Sequence, residues 1–144
     1  MTSRLNPYLG FRDDARQALE FYRSVFGGEL RIGTFGEMGA VQDPADADKV
    51  MHGQLETTRG YVLMASDTPS SMSRSETNNI SMSLSGDGDD ADDLRGYFAA
   101  LSDGGTVLEP LTQAPWGDEF GMVTDRFGVT WLVNVTATQP APSA

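Results

Sequence analysis

The 144-residue sequence predicts an α+β fold of two βαβββ modules, their sheets joined into a curved, trough-like mixed sheet with the helices outside. Three observations carry that expectation. Each half holds a stretch with apolar residues at three- and four-residue steps, the pattern of a helix lying on a sheet, and each stretch ends in a glycine pair, Gly27-Gly28 or Gly104-Gly105. Each is followed by three short apolar segments, the last two hinged at a corner closed by Gly60 or Gly128. The helix-ending glycines stand 77 positions apart and the hairpin glycines 68, so the first copy carries an insertion of nine between Gly28 and Gly60. Glu37 to Lys49 is the non-periodic segment there.

Taken in order, Arg4 to Phe11 is a short apolar run stopped by Asp13-Asp14, a first strand that Pro7 confines to an edge or bulge. Ala15, Ala18, Leu19, Tyr22, Val25 and Phe26 form the first helical stripe, capped by Asp13 or Asp14. Glu29 to Gly36 resumes as strand, and the insertion, with Pro44, is loop or a single helical turn. Val50 to Thr57 alternates, Thr58-Arg59-Gly60 turns, and Tyr61 to Ser66 returns as a buried strand. Asp67 to Thr77, rich in serine and threonine, is a connection. Asn78 to Ser85 alternates Ile80, Met82 and Leu84 against Asn79, Ser81 and Ser83; a polar inner face in a sheet suggests a wet pocket. Asp89 to Asp103 is the second helix, on the stripe Leu94, Tyr97, Phe98 and Leu101. Thr106 to Leu111 is a strand, and Trp116 to Trp131 contains the last hairpin. One domain is expected over 1–135, from modules 3–67 and 78–135, with 136–144 a disordered tail.

Composition narrows the function. A net charge of −11 with ten scattered Lys and Arg argues against nucleic acid, which needs a clustered basic surface. The absence of cysteine removes disulfides, thiol catalysis and thiolate metal sites, and fits a reducing compartment. No apolar leader stands at the N-terminus and no run approaches the roughly 18 residues of a membrane span. A cytoplasmic protein without membrane contact is the expectation.

His52 is the single histidine, on one strand face with Gln54 and Glu56, so a histidine-rich metal site is excluded while a site of oxygen ligands and one histidine is not. The glutamates are spread over different elements and name no acid–base pair, and no catalytic residue is assigned. Asp87 to Asp93 lacks the glycine and glutamate that close a calcium loop, and its carboxylates answer a helix dipole. No glycine-rich phosphate loop and no Gly-x-Ser-x-Gly elbow is present. What remains is a mixture of polar and aromatic side chains suited to a small, partly aromatic ligand: Asn6, Tyr8, His52, Gln54, Asn79, Ser81, Trp116, Phe120 and Trp131.

Leu5-Asn6-Pro7-Tyr8-Leu9, Ala18-Leu19-Glu20-Phe21-Tyr22 through Val25-Phe26-Gly27-Gly28, Phe35-Gly36-Glu37-Met38, Met51-His52-Gly53, Trp116-Gly117 and Gly121 to Trp131 together resemble the PhnB-like branch of the vicinal oxygen chelate superfamily. That superfamily includes glyoxalase I, bleomycin-resistance proteins and extradiol dioxygenases. The likeness spans residues 3 to 135 and implies a glyoxalase-like fold, usually in a homodimer with strands or modules shared between chains. Its metal-dependent members place ligands on the first and last strand of each module, positions that fall here at Asn6, Met64, Asn79 and Leu132. None is His or Glu, so the resemblance implies the fold without its metal site. Look-alikes sometimes carry a ubiquinone-methyltransferase description, for which this chain has no nucleotide loop. The expected protein is a cytoplasmic homodimer that binds a small organic ligand with no metal or other cofactor. Met64 and Leu132 join the candidate ligand contacts, Trp116 stands near the trough mouth, and Trp131 belongs to the core. The alternatives are a metal-dependent lyase or dioxygenase using His52 with carboxylates, and a catalytically silent scaffold.

Overall fold

The structure, a computed structural model, describes residues 4–70 and 80–137. The chain divides between residues 78 and 79 into two compact units of the same topology. The first runs β1 (Tyr8–Phe11), α1 (Ala15–Phe26), β2 (Glu29–Thr34), β3 (Val50–Glu56) and β4 (Val62–Asp67). The second runs β5 (Met82–Gly86), α2 (Ala91–Ser102), β6 (Thr106–Gln113), β7 (Glu119–Thr124) and β8 (Thr130–Val135). Each unit is an open, four-stranded mixed sheet, ordered β1-β4-β3-β2 and β5-β8-β7-β6. The first strand of each pairs parallel with the last and the remaining pairs are antiparallel.

One face of each sheet is buried by its helix. Ala15, Ala18, Leu19, Tyr22 and Phe26 of α1 are buried with Phe11, Leu55, Leu63 and Ala65; Leu94, Phe98 and Leu101 of α2 with Leu84, Val123, Trp131 and Val133. These are the stripes read from the sequence, and burying them supplies the main driving force for each unit. Trp131 is core, at 1% exposure, and Trp116 is 66% exposed.

Side chains far off in sequence finish what local signals begin. The Asp14 side chain makes no capping hydrogen bond at the start of α1. Asp67 of β4 does so instead, one carboxylate oxygen accepting from the Ala15 N–H and the other from the Val50 N–H, each at 2.9 Å. The insertion contains a 3-10 turn, Pro44–Asp46. Its buried Asp46 accepts from the Ser70 hydroxyl at 2.7 Å and pairs with Lys49 at 3.2 Å. Ser70 first, and Lys49 after it, hold the Asp46 pKa below the usual carboxylate value against the opposing effect of burial.

Two strands start later than the sequence suggests. β1 begins at Tyr8, because Pro7 has no N–H for the ladder and only its carbonyl takes part, accepting from Met64 N at 3.1 Å. β5 begins at Met82, where pairing with Trp131 starts, and Ile80 stays 70% exposed. From residue 138 on, the segment expected as a tail lies outside the described residues, while Thr136 N donates to Gly86 O at 2.7 Å.

Candidate functional site

The candidate residues sit on the sheet faces turned away from the helices. In the first unit, strand alternation sends Leu9, Leu63, Ala65, Gly53 and Leu55 toward α1 and leaves Tyr8, Met64, Gln54 and Arg31 on the opposite face. Pairing aligns these four in one row, Tyr8 opposite Met64, Met64 opposite Gln54, and Gln54 opposite Arg31. His52 lies on the same face, its Nδ1 3.1 Å from the Tyr8 hydroxyl, with the rings 5.7 Å apart. Gln54 donates to Glu56 at 3.0 Å. Tyr8, His52, Gln54 and Met64 are thus brought together, whereas Asn6 stands half-buried ahead of β1, outside the ladder.

In the second unit the matching row is Ser83, Leu132, Met122 and Glu109, and the next is Ser85, Asn134, Phe120 and Thr112. Met64 and Leu132, like Gln54 and Met122, are 68 positions apart, the spacing of the hairpin glycines. Leu132 and Phe120 therefore share a face, and Trp116, in the turn before β7, sets its ring 6.4 Å from that of Phe120. Ser81 is exposed just ahead of β5, and Asn79 lies outside the described residues. Arg31, Met122 and Asn134 were missed among the site residues. The 68-residue offset already pointed to Met122 from Gln54.

Asp118 fixes the turn that carries Trp116. Its carboxylate accepts from Ala137 N at 2.9 Å and Asn134 Nδ2 at 3.2 Å. The Ala137 N–H foremost, then Asn134, and more weakly the Trp116 indole, hold its pKa below the usual aspartate value, against desolvation. A depressed pKa means that this tie is complete above the ordinary value of about 3.9 and is lost as pH falls through the folded value. Trp116 emission should accordingly shift on acidification below about pH 4, and in Asp118→Asn it should resemble the acid form already at neutral pH. Difference spectra against Trp116→Phe check this.

A cavity of about 340 Å3 opens where α2, the β6–β7 turn and the end of β8 meet; Gly117 and Glu119, the neighbours of Trp116 and Phe120, line it, but no candidate residue does. Its charges are already paired: Arg95 binds Glu119 at 2.6 Å and Asp92 at 3.2 Å.

The row positions do not fit a divalent metal. Tyr8, Met64 and Gln54, or Ser83, Leu132 and Met122 with one carboxylate at Glu109, offer mainly thioether, amide, hydroxyl and hydrocarbon where a divalent cation needs several carboxylates or imidazoles. Glu56 is four residues from His52 along an extended strand, about 13 Å away, too far to share an ion with it. Among the described residues no group of three His, Asp or Glu could hold a metal.

The family described as 3-demethylubiquinone-9 3-methyltransferase matches residues 3–134. The solved structure of protein PA1353 from Pseudomonas aeruginosa is 36% identical, with a TM-score of 0.79, covering 95% of this chain and 100% of that one. A putative 3-demethylubiquinone-9 3-methyltransferase, PhnB protein, from Bacillus cereus is 23% identical, with a TM-score of 0.72, covering 93% and 100%. A glyoxalase/bleomycin resistance protein/dioxygenase superfamily member from Sphaerobacter thermophilus, 18% identical with a TM-score of 0.56 over 94% and 100% of the chains, shares the fold.

Proposed function

The chain belongs to the PhnB-like family that carries the 3-demethylubiquinone-9 3-methyltransferase description, within the glyoxalase/bleomycin resistance/dioxygenase superfamily, and from that premise we propose that it binds a small organic ligand without a metal. The observation that carries this reading is the clustering of aromatic, thioether and amide side chains, most of them half-buried, on the sheet faces turned from the helices: Tyr8, His52, Gln54 and Met64 on one, Phe120 and Leu132 beside Trp116 on the other. Such surfaces stack a flat ring and orient it with few polar contacts. Asn6 and Ser81, at the strand approaches, and Asn79 complete the proposed contact set. In this reading the two modules act as one domain over residues 1–135.

The acidic, cysteine-free composition supports a cytoplasmic protein, and no helix among the described residues is long and apolar enough to cross a membrane. Homodimer formation is supported by superfamily habit and by the apolar surface at the start of β1, where Leu5 is fully exposed and Tyr8 about half. Light scattering tests the dimer.

Trp116 reports the ligand. Aromatic compounds screened by fluorescence and thermal shift should quench its emission and raise the melting temperature, and Trp116→Phe should lose the quenching while Trp131 keeps its buried signal. Stoichiometric Zn, Ni, Mn or Fe retained after metal-supplemented purification would overturn the metal-free reading.

A further inference from the structure

Strand pairing in the first unit builds a hollow around the single histidine. The row Tyr8, Met64, Gln54, Arg31 is bulky. In the row beside it, Gly10 faces Ser66 and Gly33 faces His52, and the register that sets Gly53 against Ala65 brings His52 next to Ser66. The imidazole therefore rises among two glycines and a serine. Met38, from the insertion, lays its sulfur over Gly33, where an added Cβ would lie 2.9 Å from Sδ. The hollow thus has Met38 on one side and Met64 on the other, polarisable groups that suit the face or edge of a ring. Tyr8 engages Nδ1 at 3.1 Å, and among the described residues nothing hydrogen-bonds Nε2.

We propose that this hollow takes the acidic end of a small aromatic acid, its carboxylate or phenolate oxygen at His52 Nε2 and its ring between Met64 and Met38. The proposal rests on the ligand-binding reading and names the ligand class. Chemistry at Nε2 favours an anion in either protonation state. With Nδ1 accepting from the Tyr8 hydroxyl, the neutral ring carries its proton on Nε2; when the ring is charged, both nitrogens donate and the phenol oxygen accepts. The neighbouring carboxylates already have donors: Glu29 pairs with Arg31 at 3.9 Å, Glu56 accepts from Gln54 at 3.0 Å, and Glu37 accepts from Thr34 at 3.1 Å. Arg31, at the end of the bulky row, adds a positive charge on this face.

Because the chain has one histidine, its imidazole Cε1 proton gives a single NMR resonance. Benzoate should shift that resonance and bind about tenfold more tightly than benzamide, which has the same shape without the charge, as one charge-assisted hydrogen bond requires. His52→Gln, which keeps a neutral donor at the same place, should bring the two affinities together with little change in melting temperature. If benzamide binds as tightly as benzoate and neither moves the resonance, the acid assignment falls while the ligand-binding reading stands on Trp116 quenching. If no aromatic probe moves either the histidine or Trp116, both fall.

Discussion

Gly28→Ala is expected to destabilise the protein by about 3–5 kcal/mol, the sum of a positive-φ penalty and an unrelieved overlap with backbone. Gly28 has φ +104°, and a Cβ there would overlap the Glu56 carbonyl oxygen and stand 2.6 Å from Thr57 Cα. Neither atom can rotate away, because Glu56 is in β3 paired with β2 and Val62, and Thr57 holds the hairpin through its bond from Tyr61. Gly60, also at positive φ but with open space around it, separates the two causes. Gly60→Ala should cost only about 1 kcal/mol, the price of conformation alone. Chemical denaturation of the two variants side by side checks the argument, and equal losses would show that the close approach to β3 carries no weight. The second glycine pair repeats the device, since Gly105 presses in the same way on Thr124 O, 68 positions on from Glu56 O.

Asp125→Ala should lower stability by about 3 kcal/mol, or about 10 °C in melting temperature, because it removes one acceptor from three donors, the buried Trp131 indole among them. One oxygen of this 3%-exposed carboxylate accepts from Phe127 N at 2.9 Å and Val129 N at 3.1 Å. The other accepts from the Trp131 indole at 2.9 Å, tying the hairpin corner to the largest core side chain. Trp131→Phe removes the indole donor and should make a following Asp125→Ala less costly. A double-mutant cycle by thermal unfolding reads that coupling; additive losses would mean that the indole bond contributes nothing to the corner. Thr57, at the same place in the first hairpin, accepts from Tyr61 N, and Leu63, which has no donor, stands where the second unit has Trp131. Thr57→Ala should accordingly be milder.

The repeat was legible because both of its marks are local. Helix-ending glycines and hairpin corners need positive φ or close backbone approach wherever they occur, so Gly27-Gly28, Gly60, Gly104 and Gly128, by φ, and Gly105, by its approach to Thr124, appear in the sequence at the spacing the fold requires. The helical stripes were legible too, since a helix buries every third or fourth residue whatever it packs against. Element ends were less so. Asp13 or Asp14 was the natural cap for α1 from sequence, yet the acceptor is Asp67, more than fifty residues away, which no local pattern could reveal.

The candidate site divides along the same line. Strand alternation alone put His52 with Gln54, and Ser81 with Ser83, on polar faces, and the offset between repeats matched Met64 to Leu132. Which residues stand beside one another was a matter of register between strands. The parallel pairing of β1 with β4 put Tyr8, not Asn6, opposite Met64, and brought the phenol to the imidazole. The pairing of β5 with β8 likewise set Ser83 opposite Leu132 and left Ser81 before the strand.

By itself, then, the sequence determined the two βαβββ units, their helix faces and the poverty of metal ligands, because periodicity, turn conformations and side-chain chemistry belong to single segments. Tertiary structure decided what caps α1 and which side chains surround His52. Those depend on hydrogen-bond register between strands distant in the chain, and a slip of one residue would turn every one of them to the other face.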